Sequence, residues 1–184
     1  MKKTIVILFI FFINLNIEAQ TKGNTQMYPY VDNTGRDVCL AWDVTTGKSV
    51  FYSWNTSAKN WKPYEINIPA SPLTGATGQI MMVPYIDNSG RDVVLVWDTK
   101  SGKSVFYNWS TSARNWKAYA INMPADPLPG TKGNYMMKPY VDKTGRDVCL
   151  VWDTSSGKSV FYYWNTSGKN WSSYEINIPE NPVK

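Results

Sequence analysis

The first two strand-like runs of the chain are joined by a short polar stretch, Asp32-Asn33-Thr34-Gly35-Arg36-Asp37. The same six positions return as Asp87–Asp92 and Asp142–Asp147, each time with Gly followed by Arg. A glycine in this place suits the left-handed residue of a tight turn. The stretch therefore predicts that the strands on either side of it form a hairpin in every copy.

The turn is part of a repeat with a period of 55 residues. Three copies, residues 27–69, 82–124 and 137–179, align without a gap and carry the same residue at 26 of 43 positions. Connectors rich in Pro and Gly separate them and indicate loops of fixed length. A unit of this size buries too little surface to fold alone. We therefore expect one domain, residues 20–184, made of all three copies.

Each copy contains four strand-like runs, which in the first copy are Met27–Asp32, Asp37–Asp43, Ser49–Trp54 and Lys62–Ile68. The second run is apolar on both faces, which is typical of a central strand covered on both sides. In the fourth run we expect Tyr64, Ile66 and Ile68 to point inward. No stretch after the N-terminal segment has a helical period over ten residues, so the predicted class is all-β.

The short connections within a copy favour one all-β architecture over two others. Repeats of about fifty residues with four strands also fit a β-trefoil or a β-prism. The first and second strands of a trefoil unit do not form a simple hairpin, whereas three successive short connections describe an antiparallel meander resembling a propeller blade. Three blades leave open edges, which a second chain would cover by completing a six-bladed ring with twofold symmetry. We therefore expect blade-like repeats and a homodimer.

The N-terminus has the pattern of a Sec-type signal peptide. Lys2 and Lys3 precede the apolar run Ile5–Ile13, and a small residue, Ala19, offers a cleavage point. The apolar run is too short to span a bilayer as a helix, and no later stretch comes close. The start of the chain resembles bacterial signal sequences. Residues 1–19 are thus expected to be removed, and the protein to be secreted or periplasmic without membrane insertion.

Composition excludes several kinds of chemistry. The chain has no His and two Cys, so it lacks a His-dependent triad and the common zinc ligand sets. A glycosidase needs two carboxylates at the scissile bond, and although Glu65 and Glu175 are aligned, the second copy has Ala120. Lys and Arg exceed Asp and Glu by 19 to 14 without forming a stripe. We expect no enzyme activity, cofactor, bound metal or nucleic-acid partner.

The cysteines also appear in the repeat. Cys39 and Cys149 align with Val94. Val at this position in the second copy predicts a small buried side chain, so free thiols are expected unless the two strands come close enough for a disulfide.

The nine Trp fall at three positions per copy. Trp42 and Trp54 have apolar neighbours and are expected in the core. Trp61 follows a polar loop, so its ring is a candidate for stacking on a sugar. The turn Arg offers guanidinium donors, with a salt bridge to Asp37 or Asp43 as the alternative role. The recurring acidic residues are expected to cap turns. The candidate ligand-binding residues are Trp61, Trp116, Trp171, Arg36, Arg91, Arg146, Asn60, Asn115 and Asn170.

The order Trp42, Gly47-Lys48, Trp54 and Trp61 resembles the blades of fucose-binding β-propeller lectins. The resemblance covers about thirty residues per copy and is one of layout. It implies sugar pockets between blades of a six-bladed ring. Where those lectins place a charged Arg and Glu on the second and third strands, this chain has Val38 or Leu40 and Phe51 or Tyr52.

Two hypotheses about function follow from the sequence. The first is an exported, multivalent, lectin-like module that binds glycans with one weak site per repeat. The second is a non-catalytic structural, adhesive or inhibitory repeat protein. Exposure of Trp61, Trp116 and Trp171 beside Arg or Asn would favour the first, and packing of these rings would favour the second.

Overall fold

The computed structural model describes residues 24–119, 122–131, 133–174 and 178–179, so the predicted signal peptide lies outside it. The described residues form three four-stranded antiparallel sheets, one per sequence repeat, with the strands of each in chain order. We call these sheets blades 1, 2 and 3. The predicted all-β class and blade-like meander are confirmed.

Blade 1 consists of β1 (Thr25–Val31), β2 (Asp37–Asp43), β3 (Ser49–Asn55) and β4 (Asn60–Pro63). Blade 2 consists of β5 (Ile80–Ile86), β6 (Asp92–Asp98), β7 (Ser104–Ser110) and β8 (Asn115–Ala118). Blade 3 consists of β9 (Tyr135–Val141), β10 (Asp147–Asp153), β11 (Ser159–Asn165) and β12 (Asn170–Ser173).

The turn between β1 and β2 forms as predicted. Gly35 has a φ of 80° and its N–H donates to the Asp32 carbonyl at 2.9 Å. The Asp32 carboxylate accepts hydrogen bonds from the backbone N–H groups of Thr34 and Arg36 at 2.9 and 3.0 Å. Asp43 caps the second turn in the same way. The acidic side chains at these two turns therefore fix the register of the first three strands.

The fourth strand is shorter than the sequence predicted. It ends at Pro63, and only Tyr64 continues the pairing, with a single bond from its N–H to the Phe51 carbonyl at 2.7 Å. Beyond it the Asn67 side chain accepts a hydrogen bond from the Phe51 N–H and so occupies the donor that a longer strand would use. Ile68 is buried as expected, but Ile66 is exposed, so the predicted alternation over Lys62–Ile68 was wrong.

The hydrophobic core lies between blades. One cluster joins blades 1 and 2 and a second joins blades 2 and 3. Blade 2 contributes alternate β6 residues to both, Val94 and Val96 to the first and Leu95 and Trp97 to the second. All of β6 is buried, which confirms the prediction of a strand covered on both faces. β2 and β10 are less completely buried because an end blade has one neighbour.

Two recurring hydrogen bonds join neighbouring blades. The Trp42 indole donates to the Ile80 carbonyl at 2.9 Å, and the Trp97 indole donates to the Tyr135 carbonyl at 3.0 Å. The Tyr107 and Tyr162 hydroxyls donate to carbonyls of the connector before their blade, at 2.8 and 2.7 Å. Among the described strands, backbone contacts link blade 1 to blade 2 and blade 2 to blade 3, but not blade 3 to blade 1. The described blades thus form an open arc.

Both cysteines are free thiols, as the sequence predicted. Cys149 and its equivalent Val94 are fully buried, whereas Cys39 in blade 1 is partly exposed. Burial raises the pKa of the Cys149 thiol. The part of the chain that the structure describes contains no helix with the length and apolar character of a membrane span.

Candidate functional site

Two equivalent cavities open between neighbouring blades. The first lies between blades 1 and 2 and encloses about 380 Å³, and the second lies between blades 2 and 3 and encloses about 510 Å³. Both have the size expected for a small-molecule site. We call them pocket A and pocket B. Because they are built from equivalent positions, pocket A serves to describe both.

The earlier blade supplies a guanidinium held by a buried carboxylate. Arg36 donates from Nε and Nη2 to Asp32 Oδ2, at 2.9 and 2.7 Å, and its own side chain stays about half exposed. In pocket B, Arg91 and Asp87 repeat this contact at 2.9 and 2.7 Å. The sequence-based alternative of a salt bridge to Asp37 or Asp43 was wrong, because the turn places Asp32 beside the guanidinium. Within the described residues Arg36 Nη1 carries no hydrogen bond.

A tyrosine ring fixes the guanidinium from another side. Arg36 Cζ lies 5.6 Å from the centre of the Tyr64 ring, and Arg91 Cζ lies 5.6 Å from that of Tyr119. Such cation–π contacts restrict the orientation of the charged group. Burial raises the pKa of Tyr119 to about 12, so this hydroxyl stays protonated at neutral pH.

The later blade supplies a pair of tryptophans. Trp109 and Trp116 lie opposite each other on β7 and β8, with ring centroids 5.7 Å apart at 65°. One face of Trp116 stacks on Phe51 of blade 1, at 4.9 Å and 10°. Trp164, Trp171 and Phe106 repeat this arrangement in pocket B. The pocket wall is thus aromatic and is shared between two blades.

The later blade also supplies a second carboxylate. Asp92, the first residue of β6, lines pocket A and accepts a hydrogen bond from the Asn33 N–H at 3.1 Å through Oδ1. Its Oδ2 carries no hydrogen bond within the described residues. Asp147 accepts from the Asn88 N–H at 3.1 Å in pocket B.

The two carboxylates of a pocket differ in electrostatic character. Burial pushes the pKa of Asp32 upward, but hydrogen bonds from Arg36 and Thr34 outweigh it and hold the pKa below its ordinary 3.8. For Asp92, burial dominates, and the nearby Asp32 charge adds to it, so its pKa is raised above 3.8. The pocket therefore holds one carboxylate, Asp32, whose negative charge is stabilised by several hydrogen bonds, and a second, Asp92, whose negative charge is penalised by burial.

The structure brings together four of the residues predicted as ligand-binding: Arg36 with Trp116 in pocket A, and Arg91 with Trp171 in pocket B. The pairing runs across blades, so each site uses two repeats. Trp61 and Arg146 lie at opposite ends of the arc, where no neighbouring blade faces them within the described chain. The exposed Asn60, Asn115 and Asn170 begin the fourth strands and do not line either pocket.

Several pocket residues were missed or misassigned from the sequence. Trp54 was expected in the core, but it is 38% exposed, and its equivalents Trp109 and Trp164 line the pockets. The sequence did contain an indication that Trp54 belongs with Trp61. The two residues flank a short loop, and their rings must face each other if that loop closes a hairpin. Asp92 and Asp147 recur in the repeat, but nothing else in the sequence marks them as pocket residues, because the residues that they contact lie 59 positions earlier in the chain.

Metal binding has no evident donor set in the described part of the chain, where no three His, Cys, Asp or Glu side chains group closely enough to hold an ion.

Comparison with known proteins gives a structural likeness but no family. No family model matches the chain, and a comparison with curated proteins gives no match. Among solved structures, the chain is similar to a fucose lectin from Kordia zhangzhouensis in complex with methyl-fucoside, with 16% sequence identity and a TM-score of 0.46. The match covers 82% of this chain and 99% of that chain.

Proposed function

We propose that this protein is a non-catalytic, lectin-like module that binds carbohydrate in the pockets between its blades. The observation that carries the proposal is the convergence, in one cavity and from two blades, of a fixed guanidinium, a carboxylate with a free oxygen and an aromatic pair. This set occurs twice, in pockets A and B.

The chemistry of the pocket matches that of a sugar. Hydroxyl groups both donate and accept hydrogen bonds, so a site that binds them needs donors and acceptors at short range. Arg36 Nη1 is a donor and Asp92 Oδ2 an acceptor. The C–H face of a pyranose is apolar and packs on aromatic rings such as Trp109 and Trp116. The tight hold of Asp32 on Arg36 reduces the entropy lost when a ligand binds.

The charge balance favours a neutral sugar. Pocket A is lined by Asp32, Asp92 and Glu65 against Arg36 as its cation. An acidic sugar would meet net negative charge in pocket A, which is costly in a partly buried site. A cationic ligand would meet the Arg36 guanidinium. Neutral hydroxyl-rich rings avoid both penalties.

Binding without hydrolysis follows from the state of Asp32. A pair of carboxylates with separated pKa values is the usual signature of a glycosidase. Both oxygens of Asp32, however, already accept hydrogen bonds, from Thr34 and Arg36. A carboxylate locked in this way cannot attack a sugar or activate a water. Glu65 also lines pocket A, but its equivalent in the second repeat is Ala120, so the two pockets do not share a second free carboxylate beside Asp92 and Asp147.

A purely structural role is the second candidate, and the stacking of Trp116 on Phe51 favours it. In that case the tryptophans serve to pack one blade against the next, and the cavities are packing gaps between the blades. The pocket chemistry argues against this, because a packing gap has no need for an oriented guanidinium.

Export and multivalency complete the proposal. The signal-like segment 1–19 would deliver the protein outside the cytoplasm, where glycans are displayed. Two or more weak sites on one rigid arc gain avidity for a surface that carries many copies of the same sugar.

A glycan array tests the proposal. We expect the purified protein to bind a group of neutral glycans and the double variant Arg36→Ala/Arg91→Ala to lose that binding. The variant Lys103→Ala is the control, because Lys103 is exposed in the turn between β6 and β7 and lines neither pocket. Silence across the array, or equal binding by the double variant, would support the structural role instead.

A further inference from the structure

Pockets A and B share the residues on which the proposed function depends, but they differ at their mouths. Eight lining positions are equivalent in the two pockets. The three further lining residues of each pocket are not equivalent, and they are Pro63, Glu65 and Ile66 in pocket A and Asn88, Thr166 and Lys169 in pocket B. All six are exposed, so they border the opening of the cavity. The mouth is therefore where the two pockets can select different ligands.

The mouth of pocket A carries a carboxylate between apolar groups. Glu65 lies next in the chain to Tyr64, whose ring contacts the Arg36 guanidinium, and Pro63 and Ile66 line the cavity beside them. Ala120 takes the place of Glu65 in the second repeat. That repeat therefore brings no negative charge to the mouth of pocket B.

The mouth of pocket B carries hydrogen-bond donors instead. The Lys169 ammonium, the Asn88 amide and the Thr166 hydroxyl can all donate. Within the part of the chain that the structure describes, none of these three side chains makes a hydrogen bond or an ion pair. In blade 1, by contrast, the amide of the equivalent Asn33 donates to the Gly90 carbonyl at 3.3 Å. The donors of pocket B are therefore available to a ligand.

The loop between β11 and β12 holds Lys169 beside the cavity. The Gly168 N–H donates to Asn165 Oδ1 at 3.0 Å, and Lys169 follows it with a φ of 49°. In blade 2 the residue equivalent to Asn165 is Ser110, and the corresponding hydrogen bond to its hydroxyl is longer, at 3.4 Å. Arg114 is the equivalent of Lys169 and does not line pocket A. The cation at this position thus belongs to the mouth of pocket B only.

The two mouths give the pockets different charges. Each pocket has two Asp and one Arg at equivalent positions, to which pocket A adds Glu65 and pocket B adds Lys169. At pH 7 the lining residues therefore carry a net charge of −2 in pocket A and zero in pocket B. Counting Arg114 toward pocket A still leaves that pocket negative. Pocket B is also the larger cavity, at about 510 Å³ against 380 Å³, and has more room for a substituent on the sugar.

We propose that pocket B accepts a sugar with an anionic substituent, a carboxylate or a sulfate, which pairs with Lys169, and that Glu65 excludes such a sugar from pocket A. The proposal rests on the carbohydrate-binding function proposed above and names a ligand class for one of its two pockets. A lysine ammonium is a compact charge with three donors, which suits the oxygens of an acidic group. Asn88 and Thr166 supply neutral donors to the same end of the ligand. Repulsion by Glu65 in a partly enclosed cavity opposes the same ligand in pocket A.

Paired sugars test the difference between the pockets. The array carries oligosaccharides that end in glucose, galactose or mannose, each beside the same oligosaccharide ending in the corresponding uronic acid. Arg36→Ala impairs pocket A and Arg91→Ala impairs pocket B, so each variant reports on the other pocket. We expect Arg36→Ala to keep the binding of uronic acids and Arg91→Ala to lose it. Uronic acid binding that persists in Arg91→Ala would overturn the proposal.

Two further variants test the residues that set the difference. In the Arg36→Ala background, Lys169→Gln should lower the ratio of uronic acid affinity to neutral sugar affinity about threefold to fivefold, as expected for an exposed charge pair. Lys103→Gln is the control and should leave that ratio unchanged. In the Arg91→Ala background, Glu65→Ala should raise the ratio for pocket A. Lys169 and Glu65 are exposed, and Ala120 is the natural precedent for the second substitution, so both variants should fold.

The outcomes separate this proposal from the function on which it rests. Neutral sugars that bind without any uronic acid, or an affinity ratio that neither Lys169→Gln nor Glu65→Ala changes, would overturn the assignment of pocket B and leave carbohydrate binding in place. Silence toward every sugar on the array would overturn both.

Discussion

Trp116 of blade 2 lies flat on Phe51 of blade 1, with ring centroids 4.9 Å apart and planes 10° from parallel. The same tryptophan lines pocket A beside Arg36. One contact therefore both joins two blades and forms the wall of a candidate sugar site. Stability and binding are coupled at this position, and variants must be chosen so that the two effects can be separated.

Trp116→Ala should destabilise the fold more than Trp61→Ala. Trp116 stacks on Phe51, whereas Trp61 is 46% exposed and contacts Trp54 edge-on. We expect a loss of roughly 2–3 kcal/mol for Trp116 and below about 1 kcal/mol for Trp61. Chemical denaturation of the two variants and the parent measures both losses. Equal losses would contradict the different packing of the two rings.

Arg36→Lys should weaken binding in pocket A while leaving the fold nearly unchanged. A lysine cannot repeat the two hydrogen bonds from Nε and Nη2 to Asp32 or present an oriented donor. We expect at least about a tenfold loss of affinity at that pocket. Titration calorimetry with the best glycan from the array, using Lys103→Arg as control, measures it. An unchanged affinity would mean that the Arg36 guanidinium stabilises the turn between β1 and β2 but does not contact the sugar.

Asp92→Asn should raise the stability at pH 7 and have little effect near pH 3. The pKa of Asp92 is raised by burial, so ionisation penalises the fold increasingly as pH rises above its ordinary 3.8. The amide keeps an acceptor for the Asn33 N–H and removes the charge. Melting temperatures of parent and variant across this pH range should diverge as pH increases. A constant difference would show that Asp92 is well solvated.

Gly47→Ala should be more destabilising than Gly35→Ala. Both glycines have positive φ, 71° and 80°, so both variants incur backbone strain of about 1 kcal/mol. A Cβ on Gly47 would in addition lie 2.7 Å from the Pro72 ring of the connector, whereas Gly35 has no atom within 4 Å. Overpacking adds roughly 1–3 kcal/mol. Comparable midpoints of denaturation for the two variants would show that the connector with Pro72 moves enough to accommodate the added methyl group.

Local features of the fold were predictable because they depend on neighbouring residues. Gly35 and its flanking acidic residues define a turn whatever surrounds them, and the repeat extends that turn to all three blades. The end of β4 was not predictable in this way. There the Asn67 side chain accepts the hydrogen bond from the Phe51 N–H that a longer strand would accept. An alternating apolar pattern does not show that a side chain takes the place of the backbone in this way.

The candidate site was only partly predictable because it is formed between repeats. Arg36 and Trp116 were recognised as binding residues, but sequence alone paired residues within a repeat and not across blades. Trp54 was wrongly placed in the core because its apolar neighbours indicate a strand face. They do not show that this part of the strand lines a cavity between blades, as its equivalents Trp109 and Trp164 do.

A crystal structure of the protein with the best glycan from the array tests the central claim most directly. The account predicts sugar density in pockets A and B, with hydroxyls within hydrogen-bond distance of the Arg36 and Arg91 guanidinium groups and the ring against the paired tryptophans. Density for the bound glycan elsewhere on the surface, with both pockets empty, would contradict it.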